Sequence, residues 1–431
     1  MTYVWIALVV LILVGGVFLV SKLFTKKGSA TGNITWWGLW EDASIVQPLI
    51  ASYESSHPGV KITYIKQSPQ DYRERLTSSL AKGSGPDIFA FHNSWVPMFK
   101  NDLDNLPAGV MNPADYAKAF YPIISSDLTS GTGIVGIPLG YDALTLYVNQ
   151  DIFDKAGKTP PATWDDLRIL ARELTVKDDQ GTITQSGVAL GRTENVDHWP
   201  EILALMMLQN GVDLTNPVGK TAEDALTYFT IFSSVDGVWD ATLPSSTQAF
   251  AAGKLAMYIA PSWRSFEIQQ ANPKLSFKTY PVPQLPKDSP KQADITYATY
   301  WVQGVWSRGT KKSIAWDFLK FLSSQDSLQK FYANAAKVRT FGEPYPRVDM
   351  ANLLKDHPIA GSIITQAPGA QSWYLDSRTF DGPTGINSQL ANYFGDAINA
   401  VATGKTTADK ALPIVAQGVS QVLSQYRLIA R

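Results

Sequence analysis

Apolar positions recur along this chain with two spacings. Val60, Ile62 and Tyr64 alternate with Lys61, Thr63 and Ile65, the period of a strand. Val46, Leu49, Ile50 and Tyr53 fall at helical spacing and stop at "SSHPG", a helix terminator. "NITWWGLW" (33–40) reads as a strand running into a loop, "YRERLTSSLAKGSGP" as a helix closed by glycines, and "DIFAF" as a short buried strand. Strand, helix, strand, helix, strand predicts an α/β unit with a largely parallel sheet. Further on, "GIVGIPLGYDALTLYVNQDIF" reads as paired strands. In "PPATWDDLRILARELT" a helix buries Leu167, Leu170, Ala171 and Leu174, with Thr163 as its cap and Asp166 three positions on. "SIAWDFLKFLSSQDSLQKFYANA" makes two amphipathic helices, and the tail from Asn387 is helical. "YPVPQLPKDSPKQ" reads as a surface loop.

The first 24 residues follow neither period. Tyr3 to Val20 carries no charge, and Ser21 to Phe24 extend it to the ~20 residues that span a ~30 Å hydrocarbon layer. No lysine or arginine precedes it and only a weak cleavage candidate follows, so we read an uncleaved single-pass anchor (1–24) rather than a cleaved signal. A polar linker (25–32) comes next. Lys22, Lys26 and Lys27 would hold the following side in the cytoplasm by the positive-inside rule, so charge bias alone leaves the sidedness open.

Length and charge narrow the classes. At 431 residues the chain exceeds one ordinary core and predicts two lobes. A net charge of -1, from 37 basic and 38 acidic residues, gives no footprint for nucleic acid. With no cysteine, thiolate catalysis, Cys-bound zinc and a lipid-modified N-terminal cysteine are excluded. The two "GKT" triplets lack the P-loop glycine, which is Leu214 in one case and Asn399 in the other. No G-x-S-x-G or H-E-x-x-H is present, and the four histidines lack zinc spacing. No catalytic residue, metal or cofactor is expected, and Asp197–His198 reads as surface chemistry.

The remaining chemistry is aromatic. In open α/β sheets ligands sit beyond the carboxyl ends of the strands, where "WWGLWED" and "HNSW" fall. Indole faces cover the apolar face of a ligand, while amides, carboxylates and arginine meet its polar groups. Strand alternation lets at most one of Trp36 and Trp37 reach a cleft, whereas Trp164, Trp239 and Trp316 read as core.

Five stretches in order, "GSGPDIFAFHNSWVPMF", "GIPLGYDALTLYVNQDIFDKAG", "PPATWDDL", "FAAGKLAMYIAPSWR" and "AWDFLKFLSS", resemble bacterial extracellular solute-binding proteins of the maltose-binding type, receptors of carbohydrate ABC importers. The resemblance runs from about Ile34 to the C-terminus. It implies an α/β, two-lobe periplasmic-binding-protein-like fold (type II) with the ligand cleft at a hinge crossed more than once. The first lobe would comprise 33–139 and 302–338, the second 140–301 and 339–431. Carried over by position, Trp40 and Glu41 match the first binding loop, Asn93 and Trp95 the second, Asp142 an acid at the hinge, and Trp263 a stacking aromatic. Trp373 and Arg378 resemble a late binding segment, and Trp199 lies in another expected wall. "HNSW" departs from the charged second loop of maltose receptors, which leaves the sugar open. The implied partners are a neutral sugar or oligosaccharide, ABC permease subunits and the membrane. The alternatives are a membrane-anchored glycoside hydrolase, with two carboxylates flanking one bond, and a cell-surface glycan-binding adhesin.

Overall fold

The computed structural model describes residues 31–429 apart from 132, 288, 290 and 291. The expected anchor at 1–24 lies outside them, and among the described residues no helix is long and apolar enough to cross a membrane. The chain begins with β1 (Gly32–Gly38), α1 (Ala43–Ser56), β2 (Val60–Lys66), α2 (Tyr72–Ala81) and β3 (Ile88–His92). In β1 the alternation buries Ile34 and Trp36 and leaves Thr35 and Trp37 half-buried, and β1 pairs in parallel with both β2 and β3. α1 buries Ile45, Val46, Leu49, Ile50 and Tyr53, the face its spacing predicts.

The stretch read as paired strands is divided among three sheets, with Gly133–Ile134 pairing, among the described residues, only with Thr129–Ser130. β4 (Ile137–Pro138) joins the first sheet, and β5 (Leu144–Asn149) opens a second. The second sheet is completed by β6 (Val176–Lys177), β7 (Ile183–Val188), β8 (Leu255–Pro261) and β9 (Phe277–Tyr280), in the order β9-β5-β8-β7-β6. Around it lie α3 (Trp164–Glu173), α4 (Trp199–Gln209), α5 (Lys220–Ser234) and α6 (Arg264–Ala271). Thr163 Oγ1 accepts from the Asp166 amide at 3.1 Å, so the cap read from sequence forms. The chain then returns through β10 (Trp301–Val305), antiparallel between β3 and β4, and packs α7 (Lys312–Leu322) and α8 (Gln325–Ala335) on the first lobe. After α9 (Ala360–Gln366) it ends in α10 (Ile386–Ala402) and α11 (Ala408–Gln425) of the second lobe.

Two large hydrophobic cores result, with a small third cluster of Phe341, Ile359 and Ala360 packed against Phe266 and Phe277. The first core includes Tyr141, Ala143, Ala298 and Tyr300, and later Tyr345, Met350, Leu354, Ile363 and Ala367. The second takes Leu144 to Tyr297 and resumes at Leu375. Apolar side chains between Tyr345 and Ala367 join the first core, while Ser362 and Gln366 of α9 hydrogen-bond to Thr145, Thr279 and Val282 of the second lobe. Crossings lie at 143–144, 297–298 and 370–373. Ala143 bridges Ala298, and Thr296–Tyr297 pair with Ala370–Gln371, so the three crossings run side by side as a hinge.

Candidate functional site

The strand ends of both sheets face one gap. Trp40 and Glu41 follow the carboxyl end of β1, and His92 ends β3 opposite Trp301 of β10. From the second lobe, Ser262 and Trp263 follow β8, whose Pro261 pairs with Leu144 just after Asp142. Between them lies a cavity of about 390 Å³, within the usual size range of small-molecule sites. Trp40, Glu41, Asp142, Trp263 and Arg378 all line it.

Its aromatic wall is layered. Trp40, 41% exposed, meets Trp301 edge-on with centroids 5.4 Å apart, and Phe380 of the late segment at 5.8 Å. Trp301 packs in turn against Trp95 at 5.4 Å. Trp263 lies on the opposite lobe with the Arg264 guanidinium 4.4 Å from its ring centroid. Trp36 is the member of the first pair that lines the cavity; its Nε1 donates to Gln303 Oε1 at 2.7 Å.

Asp142 holds the loop that carries Trp263. Oδ1 accepts from the amides of Ala143 at 2.7 Å and Ser262 at 2.9 Å, and Oδ2 from the Ser262 hydroxyl at 2.8 Å and the Trp263 amide at 3.3 Å. Burial still pushes its carboxyl up to about 7. On the first lobe, Arg339 Nη2 donates to Glu41 at 2.9 Å and Glu343 at 2.8 Å. Burial first, and the Glu343 carboxylate next, raise Glu41 to about 7 against the pull of Arg339. The cavity is therefore richer in charge than the sequence suggested.

The Asp197–His198 pair is not surface chemistry. His198 is buried, with Arg264 Nε donating to its Nε2 at 2.8 Å, so its other nitrogen carries the proton toward Glu201 Oε1 at 3.3 Å. Burial holds the imidazole below its ordinary range. Ser377 and Arg378 reach this cluster from the late segment: Ser377 Oγ donates to Glu201 at 2.7 Å, and Arg378 Nη2 lies 3.8 Å from Asp197. Arg378 and Phe380 take φ of 56° and 54°, a left-handed backbone that side chains rarely adopt.

Four expected site residues lie elsewhere. Trp95 is wholly buried, stacked at 5.7 Å on Phe99; its loop turns the ring into the core. Asn93 is buried and spends its amide on Asp127 at 3.0 Å and the Tyr300 amide at 3.2 Å. Trp199 opens α4 and packs over Gly395 of α10. Trp373 packs edge-on to Phe394, 6.2 Å away. Conversely, Trp301, Arg339, Glu343 and Phe380 line the cavity without having been singled out. Trp301 opens β10 at its amino end, beside the carboxyl end of antiparallel β3, so the carboxyl-end argument that served Trp40 could not reach it; the other three sit in irregular segments with no periodic signal.

A family model described as bacterial extracellular solute-binding protein matches residues 37–328. A candidate binding protein of Brucella abortus (strain 2308) is 24% identical over 296 residues, 66% of this chain and 69% of its own. Among solved structures, a solute-binding protein of an ABC transporter from Thermotoga lettingae TMO, bound with α-D-tagatose, superposes with a TM-score of 0.69 at 21% identity, over 91% of this chain and 100% of that one. A cyclic α-maltosyl-1,6-maltose binding protein from Arthrobacter globiformis gives 0.73 at 19% identity, over 92% and 100%. These likenesses place the fold among two-lobe periplasmic-binding-protein-like α/β proteins.

Proposed function

Because the chain belongs to the bacterial extracellular solute-binding proteins, we propose that it is a carbohydrate receptor of an ABC importer, closing on a sugar between its lobes and delivering it to membrane permease subunits. One observation carries this reading: Trp40 and Trp301 from one lobe and Trp263 from the other line the same cavity with carboxylates and guanidinium groups. Flat rings cover a sugar's apolar face and the polar groups meet its hydroxyls. The sugars named for the solved relatives support the same ligand class. The apolar segment 3–20 would tether the folded part on the extracytoplasmic face.

The three hinge crossings allow rigid lobe motion, and a ligand bound by both walls favours the closed form differentially. Small-angle scattering and tryptophan emission of the full chain against a glycan panel test this. Compaction with an emission change for at least one sugar is the expected result; no response to any sugar overturns the reading. The hydrolase alternative is tested in the same samples, where recovery of intact sugar dismisses it.

A further inference from the structure

The charge of the cavity bears on what its ligand must bring. Over the whole chain acids and bases nearly cancel, at a net charge of -1. The lining does not share that balance: the carboxyls of Glu41, Asp142, Glu201, Glu267 and Glu343 outnumber the guanidinium groups of Arg339 and Arg378, with Glu41 and Asp142 only partly ionised near pH 7 because burial raises both to about 7. The nearest cation is shared, since one nitrogen of Arg339 serves both Glu41 and Glu343. The second oxygen of Glu41 is buried without a hydrogen-bond partner. So is Oε2 of Glu201, whose side chain is 1% exposed.

Neighbouring groups do not restore the balance. His92 is pushed down to about 3 by burial, and burial also holds His198 down. Arg264, behind the wall, is engaged by Glu267 at 2.6 Å and lies 3.9 Å from Asp197, the carboxylate that Arg378 also approaches. Carboxyl groups clustered between low-dielectric walls attract a cation, which in turn draws them toward the ionised form.

A neutral saccharide meets these carboxylates with hydroxyl donors and leaves the charge uncompensated, which is costly away from bulk water. An ammonium group brings donors and charge together, and the indole faces of Trp40, Trp263 and Trp301 around the same gap attract a cation. On the carbohydrate-receptor reading, from which this step proceeds, we infer that the ligand is an amine-bearing saccharide whose ammonium group is received by Glu41 and Glu343. Glu41, raised to about 7, is drawn down by a cation beside it, so binding near neutral pH releases a proton from this carboxyl.

The test is calorimetric titration of the full chain at about pH 6.5, where sugar amines are protonated, with sugars matched except at one group. Glucosamine, galactosamine and mannosamine are set against their parent hexoses and N-acetyl forms. The glucosamine trimer is set against its N-acetylated form, cellotriose and maltotriose. In at least one set the amine is expected to bind about tenfold tighter or better, an advantage that shrinks as salt is raised from ~0.02 to ~0.5 M. Glu343→Gln is expected to lower the ratio of amine to N-acetyl affinity about tenfold. Glu41→Gln repeats the measurement if Glu343→Gln yields no folded protein. Binding of a neutral or N-acetyl sugar with no amine exceeding its partner overturns this inference and leaves the receptor reading standing. An amine preference indifferent to salt and to both substitutions overturns the assignment to Glu41 and Glu343. Silence across every set and across a broad neutral glycan array sinks both readings.

Discussion

Asp142 and Trp263 are joined through the turn that opens α6: the carboxylate of Asp142 accepts from the Trp263 amide at 3.3 Å and from the Ser262 amide and hydroxyl at 2.9 and 2.8 Å. The acid belongs to the hinge stretch and the indole to the wall of the second lobe. With Ala143 supplying a further amide at 2.7 Å, both oxygens are occupied. The position at which the resemblance implied a sugar contact thus fixes the seat of a cavity-lining ring.

Asp142→Asn therefore acts on Trp263. One acceptor oxygen becomes a donor facing an N–H, so at least one of four hydrogen bonds is lost at a cost of about 1–3 kcal/mol. Denaturant titration should show that loss, tryptophan emission should shift without ligand, and sugar affinity should fall about tenfold. Unchanged emission with the same affinity loss would mean that Asp142 acts on the ligand directly.

Two tryptophans 55 positions apart in sequence should separate binding from stability. Trp40 is 41% exposed in the cavity, and Trp95 is buried beneath Trp301. Trp40→Ala is expected to weaken sugar binding at least tenfold at a near-normal melting temperature, since truncating a cleft aromatic removes contact area rather than core. Trp95→Ala should cost about 3–5 kcal/mol of unfolding free energy by leaving a cavity. Equal effects of the two on unfolding would show that Trp40 is a core residue.

What the sequence revealed and what it hid follow from the range of the forces. Alternation and helical spacing are set by burial of each element against one core, so β1, α1, β2 and the Thr163 cap were readable from neighbours alone. The strand-end argument put Trp40 at the shared edge and the resemblance put Trp263 there, and both line the cavity. Trp95 was misplaced because the same loop turns its ring under Trp301, a contact that depends on β10, more than two hundred positions away. The contacts of Arg339 with Glu41 and of Arg264 with His198 join residues distant in the chain, with no local period to mark them. The packing of the segment from Tyr345 to Ala367 was hidden for the same reason: it divides its contacts between the first core and the strands of the second lobe, which only the hinge crossings bring together.

Arg378 pairs local backbone strain with a place in the cavity. Its φ of 56° is left-handed, and its half-exposed side chain reaches Asp197 only at 3.8 Å, a pair of small worth. Arg378→Gly is expected to relieve the strain and stabilise the protein by about 0.5–1 kcal/mol, offset in part by the freer unfolded chain. The same change should weaken ligand binding several-fold. Thermal unfolding alongside titration checks both; a loss of stability would show that the arginine holds the late segment in place.

Glu41 gives a pH signature of known sign. Its ordinary value of 4.5 rises to about 7 in the fold, chiefly through burial and then through Glu343. Between those values the native state keeps a proton that the unfolded chain has lost, so ΔG of unfolding falls as pH rises. The contribution is fully present below about pH 4.5 and lost as pH passes through about 7. Glu41→Gln cannot titrate, and groups that do not interact with Glu41 cancel in a difference between variant and wild type, which therefore reports the Glu41–Glu343 pair. That difference should move in the variant's favour from about pH 4.5 to 7, by on the order of 2 kcal/mol. Urea denaturation of both proteins at several pH values across that span measures it. A flat difference would mean that Glu41 ionises like a solvated carboxyl and that the cavity is wetter than its geometry indicates.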